Sequence, residues 1–452
     1  MDRRDLLKTI SVGAAGLGAG TAHAATTKPA FVAAPPSQGR SLVNTERARM
    51  VMERHNIDGL IAANPINVYY LSNVTPLSVR FRSELGGFAT FARDPQQPRL
   101  LVCTTAETWD VANRDRDIPE VIYFSGIKPP GQTQKGVEPE ASRPRDYPIR
   151  KGVTLTEREQ RWVAAQTAAN DALAPGAAWA IVRALKKSGL SKGRIAVDDM
   201  RVKVLLDQIG LEGVTIIPGE DIFKLIRMVK TPTEVDLMRV TGRNNEAAAM
   251  AMMRRVEVGM TFRDTENIFR EECAKRGSTM LNLVMGMPGG DFADGFAVKG
   301  KPYIVDAVSH YAQYNGDFAR TLVLGEPTKE VLARAKANRI ARETVFEIVK
   351  PGVTFSSLRK TAFDAMVKAG IPDYAVFITP HSVGLQHTDH PFRLDGIDPA
   401  PIDHVLEENM VMTIDLPYVE VGWGCGHNED LFRVTATGYE ALNPESDPLV
   451  VV

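Results

Sequence analysis

Four carboxylates sit in runs that otherwise read as apolar strands. Asp306 and Asp317 lie in IVDAVSHYAQYNGDFARTL, and Asp415 and Glu429 lie in MVMTIDLPYVEVGWGCGHNEDLFRV. Aspartate is a poor strand former, and a buried carboxylate is costly unless it is paired or bound to a metal. Asp306 and Asp317 are eleven residues apart, so one straight strand would point them to opposite faces. A hairpin turning around Tyr311 and Ala312 instead sets them directly opposite each other on one face, with Cβ atoms about 5 Å apart. Asp415 and Glu429 fall opposite each other in the same way, about a centre near Gly422 in a turn that also holds Gly424. Like charges that close repel strongly in a dry site; a shared proton relieves part of this, and a divalent cation relieves more. Between the two acidic hairpins runs TPHSVGLQHTDHPF, with His381, His387 and His390. Four carboxylates and at least one imidazole make an oxygen-rich pocket with a nitrogen ligand, with charge enough to balance two divalent metals.

The elements that must position these groups follow from a repeat. VEVGMTFRDTENIFREECAKRG, from Val256, and VKPGVTFSSLRKTAFDAMVKAG, from Val349, match at both ends with one offset of 93 (349 minus 256; 370 minus 277). Each is a Gly-containing loop, a Thr cap (Thr261, Thr354) and a helix closed by Gly. A register held over 22 residues predicts two copies of one αβ unit about a pseudo-twofold axis. Ahead of them, Thr231 and Pro232 open a long amphipathic helix, and a domain boundary is expected near Phe223.

Upstream, GLIAA, GGFATFA, RLLVCTT and RIAVDD read as strands alternating with helices, a mixed α/β domain. The stretch 128–152 lacks periodicity and reads as a long surface loop. Residues 25–42 form a Pro/Ala/Ser-rich linker. Residues 1–24 pair Arg3 with Arg4, continue through a weakly apolar Gly/Ala run and end in Ala22-His23-Ala24, which predicts a twin-arginine leader, cleavage and a periplasmic location. The domain expectation is therefore 1–24 leader, 25–42 linker, 43–222 α/β domain and 223–452 catalytic domain.

With 54 Lys and Arg against 55 Asp and Glu, no overall field draws the chain to nucleic acid or an anionic membrane. Partners are expected to be small molecules or short peptides, and no segment after the leader is apolar enough for a membrane span. Cys103, Cys273 and Cys425 are too scattered for a disulfide framework or a thiolate zinc site and are expected to be free.

In order, IVDAV, NGDFART, HSVGL, TIDLP and HNEDL resemble the ligand segments of the creatinase, prolidase and methionine aminopeptidase superfamily, and KTPTEVDLMR and NPINVYYLS extend the likeness over most of the chain. The resemblance implies an α/β (α+β) fold, with a creatinase-like N-terminal α/β domain and a C-terminal pita-bread domain. It implies Asp306, Asp317, His381, Asp415 and Glu429 as metal ligands and a homodimer as the assembly. Four positions depart from the peptidase pattern. Asp415 stands where the family has Glu, Gly289 and Thr388 stand where it has two histidines, and His427 stands where prolidases have Arg.

The implied activity is a metal-dependent hydrolase of the Xaa-Pro peptidase or creatinase type, possessing one or two divalent metals. Oxygen-dominated ligation favours manganese, iron or cobalt over zinc. Glu429 is the expected proton shuttle, with His387, His390 and His427 as replacements for the absent histidines. Two rival readings are a lyase acting on a small molecule of the dimethylsulfoniopropionate kind, and a metal-free binding protein on the same fold.

Overall fold

A computed structural model describes residues 41–452, apart from 76, 78–80, 82–84, 114–117, 119, 127–134, 287–294, 372–377 and 445–446. The expected leader, most of the expected linker, Gly289 and the start of the 128–152 loop lie outside the described residues.

The first half opens with α1 (Thr45–Arg54), where the Asn44 side chain accepts from the Arg47 N–H at 3.2 Å. It continues through β1 (Gly59–Ala62), α2 (Pro65–Ser72), β2 (Gly87–Ala92), β3 (Leu100–Thr104), α3 (Thr108–Asn113), β4 (Glu120–Phe124), α4 (Glu157–Asp171), α5 (Ala177–Lys187), β5 (Gly193–Val197), α6 (Arg201–Ile209), β6 (Val214–Pro218) and α7 (Glu220–Arg227). Among the described residues the strands form one six-stranded sheet in the order β4-β3-β2-β1-β5-β6. β1 and β2 are buried along their whole length, which is why they read as unbroken apolar runs rather than alternating ones. The described part of the 128–152 loop has no helix or strand and is pinned to α4, Arg143 pairing with Asp171 and Asn170 donating to Asp146. Phe223 is fully buried within α7, and one apolar cluster runs across it, joining Leu60, Tyr70 and Phe91 to Met238, Tyr314 and Leu431.

The second half begins with α8 (Pro232–Met253), started by a capping box between Thr231 and Glu234. There follow α9 (Phe262–Lys275), β7 (Thr279–Gly286), β8 (Pro302–Tyr311), β9 (Tyr314–Val323), α10 (Lys329–Ile348), α11 (Phe355–Lys368), β10 (Thr379–Ser382), β11 (Val411–Asp415), β12 (Tyr418–Glu420), β13 (Gly424–Gly426), β14 (Glu429–Asp430), β15 (Phe432–Val434), β16 (Tyr439–Ala441) and β17 (Leu449–Val451). One sheet runs β14-β9-β8-β7, with β17 also on β9; another runs β10-β11-β15-β16. Each has its own apolar core against a helix pair. Ala249, Phe269, Val305 and Phe318 pack together beside the first sheet, and Ala341, Leu358, Met412 and Phe432 beside the second. Burying one such Phe or Leu stabilises by about 1.5–3 kcal/mol.

The repeat is visible in detail. α9 and α11 begin at Phe262 and Phe355 and end at Lys275 and Lys368, so both bounds keep the offset of 93 (355 minus 262; 368 minus 275). Thr261 and Thr354 cap them, and Gly277 and Gly370 follow with φ of 68° and 91°, the left-handed exit that glycine supplies. The loops before the helices are held alike. Gly259 N–H donates to the Ala297 carbonyl at 2.8 Å and Phe262 N–H to that of Gly295 at 2.9 Å; Gly352 N–H donates to Leu406 and Phe355 N–H to His404, both at 2.9 Å.

Candidate metal centre

The hairpin β8–β9 carries the first two aspartates, but its turn lies one residue later than expected. Tyr311 pairs with Tyr314, leaving Ala312 and Gln313 as a two-residue loop with φ of 48° and 70°. Positive φ at both loop residues matches the right-handed twist of the flanking strands. The two tyrosines close the hairpin because both are buried in the central apolar cluster. The shift corrects the expected pairing. Asp306 faces Ala319 and Asp317 faces Val308, so the two acids share a face as diagonal neighbours rather than standing directly opposite.

β14 then pairs with β9 so that Glu429 also faces Ala319. Asp306, Ala319 and Glu429 thus form one row across three strands, and the central methyl leaves room between the outer acids. The second acidic hairpin does turn about Gly422, since Tyr418 pairs with Gly426 and Glu420 with Gly424. Its acid-bearing ends part company, however: β11, with Asp415, joins β10 and β15, while β14, with Glu429, joins β9. Leu416 and Pro417 make the break. On the second sheet His381 faces Thr413 and Asp415 faces Thr379, so His381 and Asp415 are also diagonal neighbours on one face.

The two sheets bring these side chains together. His381 Nε2 lies 3.7 Å from Asp317 Oδ2, 3.5 Å from Asp415 Oδ2 and 3.6 Å from Glu429 Oε1. His387 Nε2 is 3.1 Å from Asp317 Oδ2, and His427 Nε2 is 3.5 Å from Asp415 Oδ1 and 4.0 Å from Glu429 Oε2. Three clusters have ligand atoms within 4.8 Å of one another: Asp317, His381 and His387; Asp306, His427 and Glu429; and His381, Asp415 and Glu429. Asp306 Oδ1, both Asp317 carboxylate oxygens, Glu429 Oε2, His381 Nε2 and His427 Nε2 are buried without a hydrogen-bond partner among the described residues. A polar atom left so costs about 1–3 kcal/mol. Divalent cations would satisfy all of them, so the residues present fit a metal centre.

The electrostatics agree. Burial, reinforced by Asp317, Asp415 and Asp306, pushes the Glu429 carboxyl well above the carboxylate range. Burial raises Asp306 to about 7 against the pull of His427, with Asp317 and Asp415 adding to the rise. Asp415 goes the other way: burial opposes its charge, but His427 and His381 hold it below its usual value. Burial also works against a charge on His387, yet Asp317 and then Asp306 and Asp415 lift it to about 9. A cluster of this kind shares protons until a cation takes their place.

His390 does not join the cluster. Its ring is packed among Phe355, Phe392 and His404, and its Nδ1 accepts the Ser382 N–H at 3.3 Å. Burial, aided by His404 and His381, lowers its pKa to about 3, so it is a neutral acceptor that holds the strand end beside His381. Thr388 is half-buried, its Oγ1 3.3 Å from His387 Nδ1.

Three supports escape a reading of the acids alone. Thr413 Oγ1 donates to Glu429 Oε1 at 2.9 Å, and its position two before Asp415 on the same strand face is the signal that marks it. Buried Arg320 donates to the carbonyl of Glu429 at 2.9 Å and pairs with Asp430 at 2.5 Å, while Arg342 takes the other Asp430 oxygen. Asp389 accepts from Arg227 at 2.7 and 2.9 Å, with Lys230 Nζ 3.5 Å away, and so anchors the loop that bears His387. That loop needs Gly384, where a Cβ would stand 2.2 Å from Asp389 Oδ2.

The fold has close counterparts among solved structures. Prolidase from Pyrococcus furiosus superposes with a TM-score of 0.62 at 20% identity, covering 88% of this chain and 99% of that one. Xaa-Pro dipeptidase from Bacillus anthracis does so with 0.67 at 16% identity, covering 90% and 99%. The sequence pattern of metallopeptidase family M24 matches residues 236–436. Residues 236–436 thus carry the pattern of a metallopeptidase family, and the chain shares the pita-bread fold of the solved prolidases. Curated proteins to which the chain is similar include "Probable dipeptidase PepE" of Mycobacterium tuberculosis, 28% identical over 249 residues, and the Xaa-Pro dipeptidase of Pyrococcus furiosus, 26% identical over 231 residues. These matches cover 53% and 49% of this chain and 65% of each relative. The pita-bread half is the part that carries the seven clustered acids and histidines.

Proposed function

We propose that this chain is a member of the creatinase and prolidase superfamily and a metal-dependent hydrolase that cleaves a short peptide or small amide. The observation that carries this reading is the set of buried oxygens and nitrogens left without hydrogen bonds where two sheets meet. Asp306, Asp317, His381, Asp415 and Glu429 would hold one or two divalent metals. Bound there, such a metal lowers the pKa of a water and polarises a carbonyl. Glu429 stands where the two sheets meet, which suits its carboxylate to take a proton from a nucleophile and return it to a leaving group. Thr413 fixes which carboxylate oxygen remains free for that task. Arg320 holds the strand of Glu429 by its backbone, so the carboxylate reaches the cluster without a competing ion pair. The twin-arginine start supports export to the periplasm.

The test is a screen of Xaa-Pro dipeptides against small amides, with metal content measured on protein purified without added metal. Hydrolysis that depends on the metal and is lost in Asp415→Ala, together with its metal, is the expected outcome. Full metal content and full activity in that variant would overturn the assignment. A second reading, elimination on a small sulfonium acid, is favoured by Thr388 and His427 standing where peptidases of this superfamily carry His and Arg. Solvent ¹⁸O entering the product excludes it.

A further inference from the structure

The five ligands implied by family resemblance contain one nitrogen donor, but the cluster contains three. His387 Nε2 falls in one group with Asp317 and His381, and His427 Nε2 falls in another with Asp306 and Glu429. The groups have no residue in common. Asp415 stands between them with one oxygen turned to each: Oδ2 is 3.5 Å from His381 Nε2, and Oδ1 is 3.5 Å from His427 Nε2. His427 lies two residues before Glu429, between β13 and β14, and its Nε2 is buried with no hydrogen-bond partner among the described residues. His387 reaches the cluster from the loop anchored by Asp389, and 44% of its side chain is exposed at the mouth. Both rings present Nε2 inward, at the separations that ligand atoms sharing a cation adopt.

We infer that His387 and His427 are metal ligands, so that the centre binds two unlike cations, one among Asp317, His381 and His387 and one among Asp306, Glu429 and His427, with Asp415 bridging them. This inference rests on the metal-dependent reading above and goes beyond it in ligand set and metal preference. Each subsite has at least one imidazole, and the first has two. Imidazole suits zinc, iron, nickel and copper, whereas sites made only of carboxylates suit magnesium and manganese. The preference expected from oxygen ligation is thereby turned: zinc or ferrous iron should bind the first subsite ahead of manganese. The shorter Asp415 fits this arrangement, since nitrogen donors supply what a longer bridging glutamate would otherwise reach.

The experiment uses the full chain, stripped with a chelator and reloaded separately with Zn²⁺, Co²⁺ and Mn²⁺. X-ray absorption of the zinc-loaded protein counts imidazoles, and the visible bands of the cobalt-loaded protein report the donor set, both independently of turnover. Three imidazoles over two ions are expected, with zinc displacing manganese. His387→Ala should weaken one ion at least ~10-fold and alter the cobalt bands, with the other ion retained. His427→Ala should do the same for the other ion. If burial of His427 makes that variant unfold, the imidazole count on the unaltered chain still decides. One imidazole over two ions, or cobalt bands and stoichiometry unchanged in His387→Ala, would overturn the inference while leaving the hydrolase reading intact. An unaltered chain that binds no metal at all would sink the hydrolase reading itself.

Discussion

The two αβ repeats share their helices and differ in their strands. α9 and α11 start at Thr caps, end at left-handed glycines and have the same pair of backbone bonds pinning the loops before them. The strands that follow diverge. In the first repeat β8 and β9 run ten residues each as one hairpin, with β9 buried throughout, and they contribute only carboxylates, Asp306 and Asp317. In the second, β11 stops at Asp415, an outlying hairpin intervenes, and β14 crosses to the other sheet with Glu429. All three imidazoles of the cluster come from this second, broken repeat. A helix start is set by local capping and tolerates little change. Where a strand is cut and which sheet it joins is free to vary, and that freedom is where the donor types have been chosen.

Removing a carboxylate of the first repeat should therefore cost the most. Asp317 faces both His381 and His387, so Asp317→Ala leaves two imidazoles without the charge that holds a cation beside them. Metal affinity at that subsite is expected to fall at least ~100-fold, measured as metal retained after dialysis. Retention equal to the unaltered chain would break the comparison at its base. A smaller loss is expected from the second repeat's support. Thr413→Val keeps the shape but removes the donor to Glu429 Oε1, and a loss of about 10–100-fold in affinity or activity is expected. An unchanged metal titration would mean that Glu429 is placed by its strand alone.

Much of this was legible in the sequence, for reasons that differ by residue. The offset of 93 between repeats survives in the helix bounds because caps are local chemistry. The centre of the second acidic hairpin at Gly422 was legible because a positive φ, here 93°, marks the turn. The first hairpin was misplaced by one residue because Ala312 and Gln313 adopt positive φ without being Gly, Asn or Asp, and the burial of the two flanking tyrosines decides the register. The meeting of Asp415 with Glu429 across two sheets was not legible as such, since pairing within one hairpin gives the same residue spacing. His390 looked like its neighbour His387, and only the aromatic rings around it separate an acceptor in the core from a group in the cluster.

In the first repeat's sheet, helix meets strand closely. α8 lies so close to β9 that a Cβ on Gly316 would stand 2.6 Å from Asn245 Cβ and 2.9 Å from the Thr241 carbonyl. Gly316→Ala is expected to destabilise by about 1–3 kcal/mol, read as a shift in the urea midpoint with unchanged slope. No shift would show that the helix gives way, and that the rigid face of the first repeat is less rigid than its contacts imply.

The smallest effect concerns the start of α8, where Glu234 is buried beside Tyr314 and Lys230. Burial raises its pKa to about 7, although Lys230, the Thr231 N–H and the Tyr314 hydroxyl, 3.0 Å away, favour the carboxylate. A carboxyl whose folded pKa lies above its unfolded value near 4.5 gives stability that is fully present below the unfolded value. That contribution is lost as pH rises towards 7. Glu234→Gln keeps a carbonyl to accept from Thr231, as glutamine does in a capping box, and removes the titration. Stability of the variant and the unaltered chain should therefore match at pH 5, with the variant ahead at pH 7.5. Urea unfolding at both values measures it, and a difference that is constant or grows towards acid would show that Glu234 is ionised in the folded protein throughout.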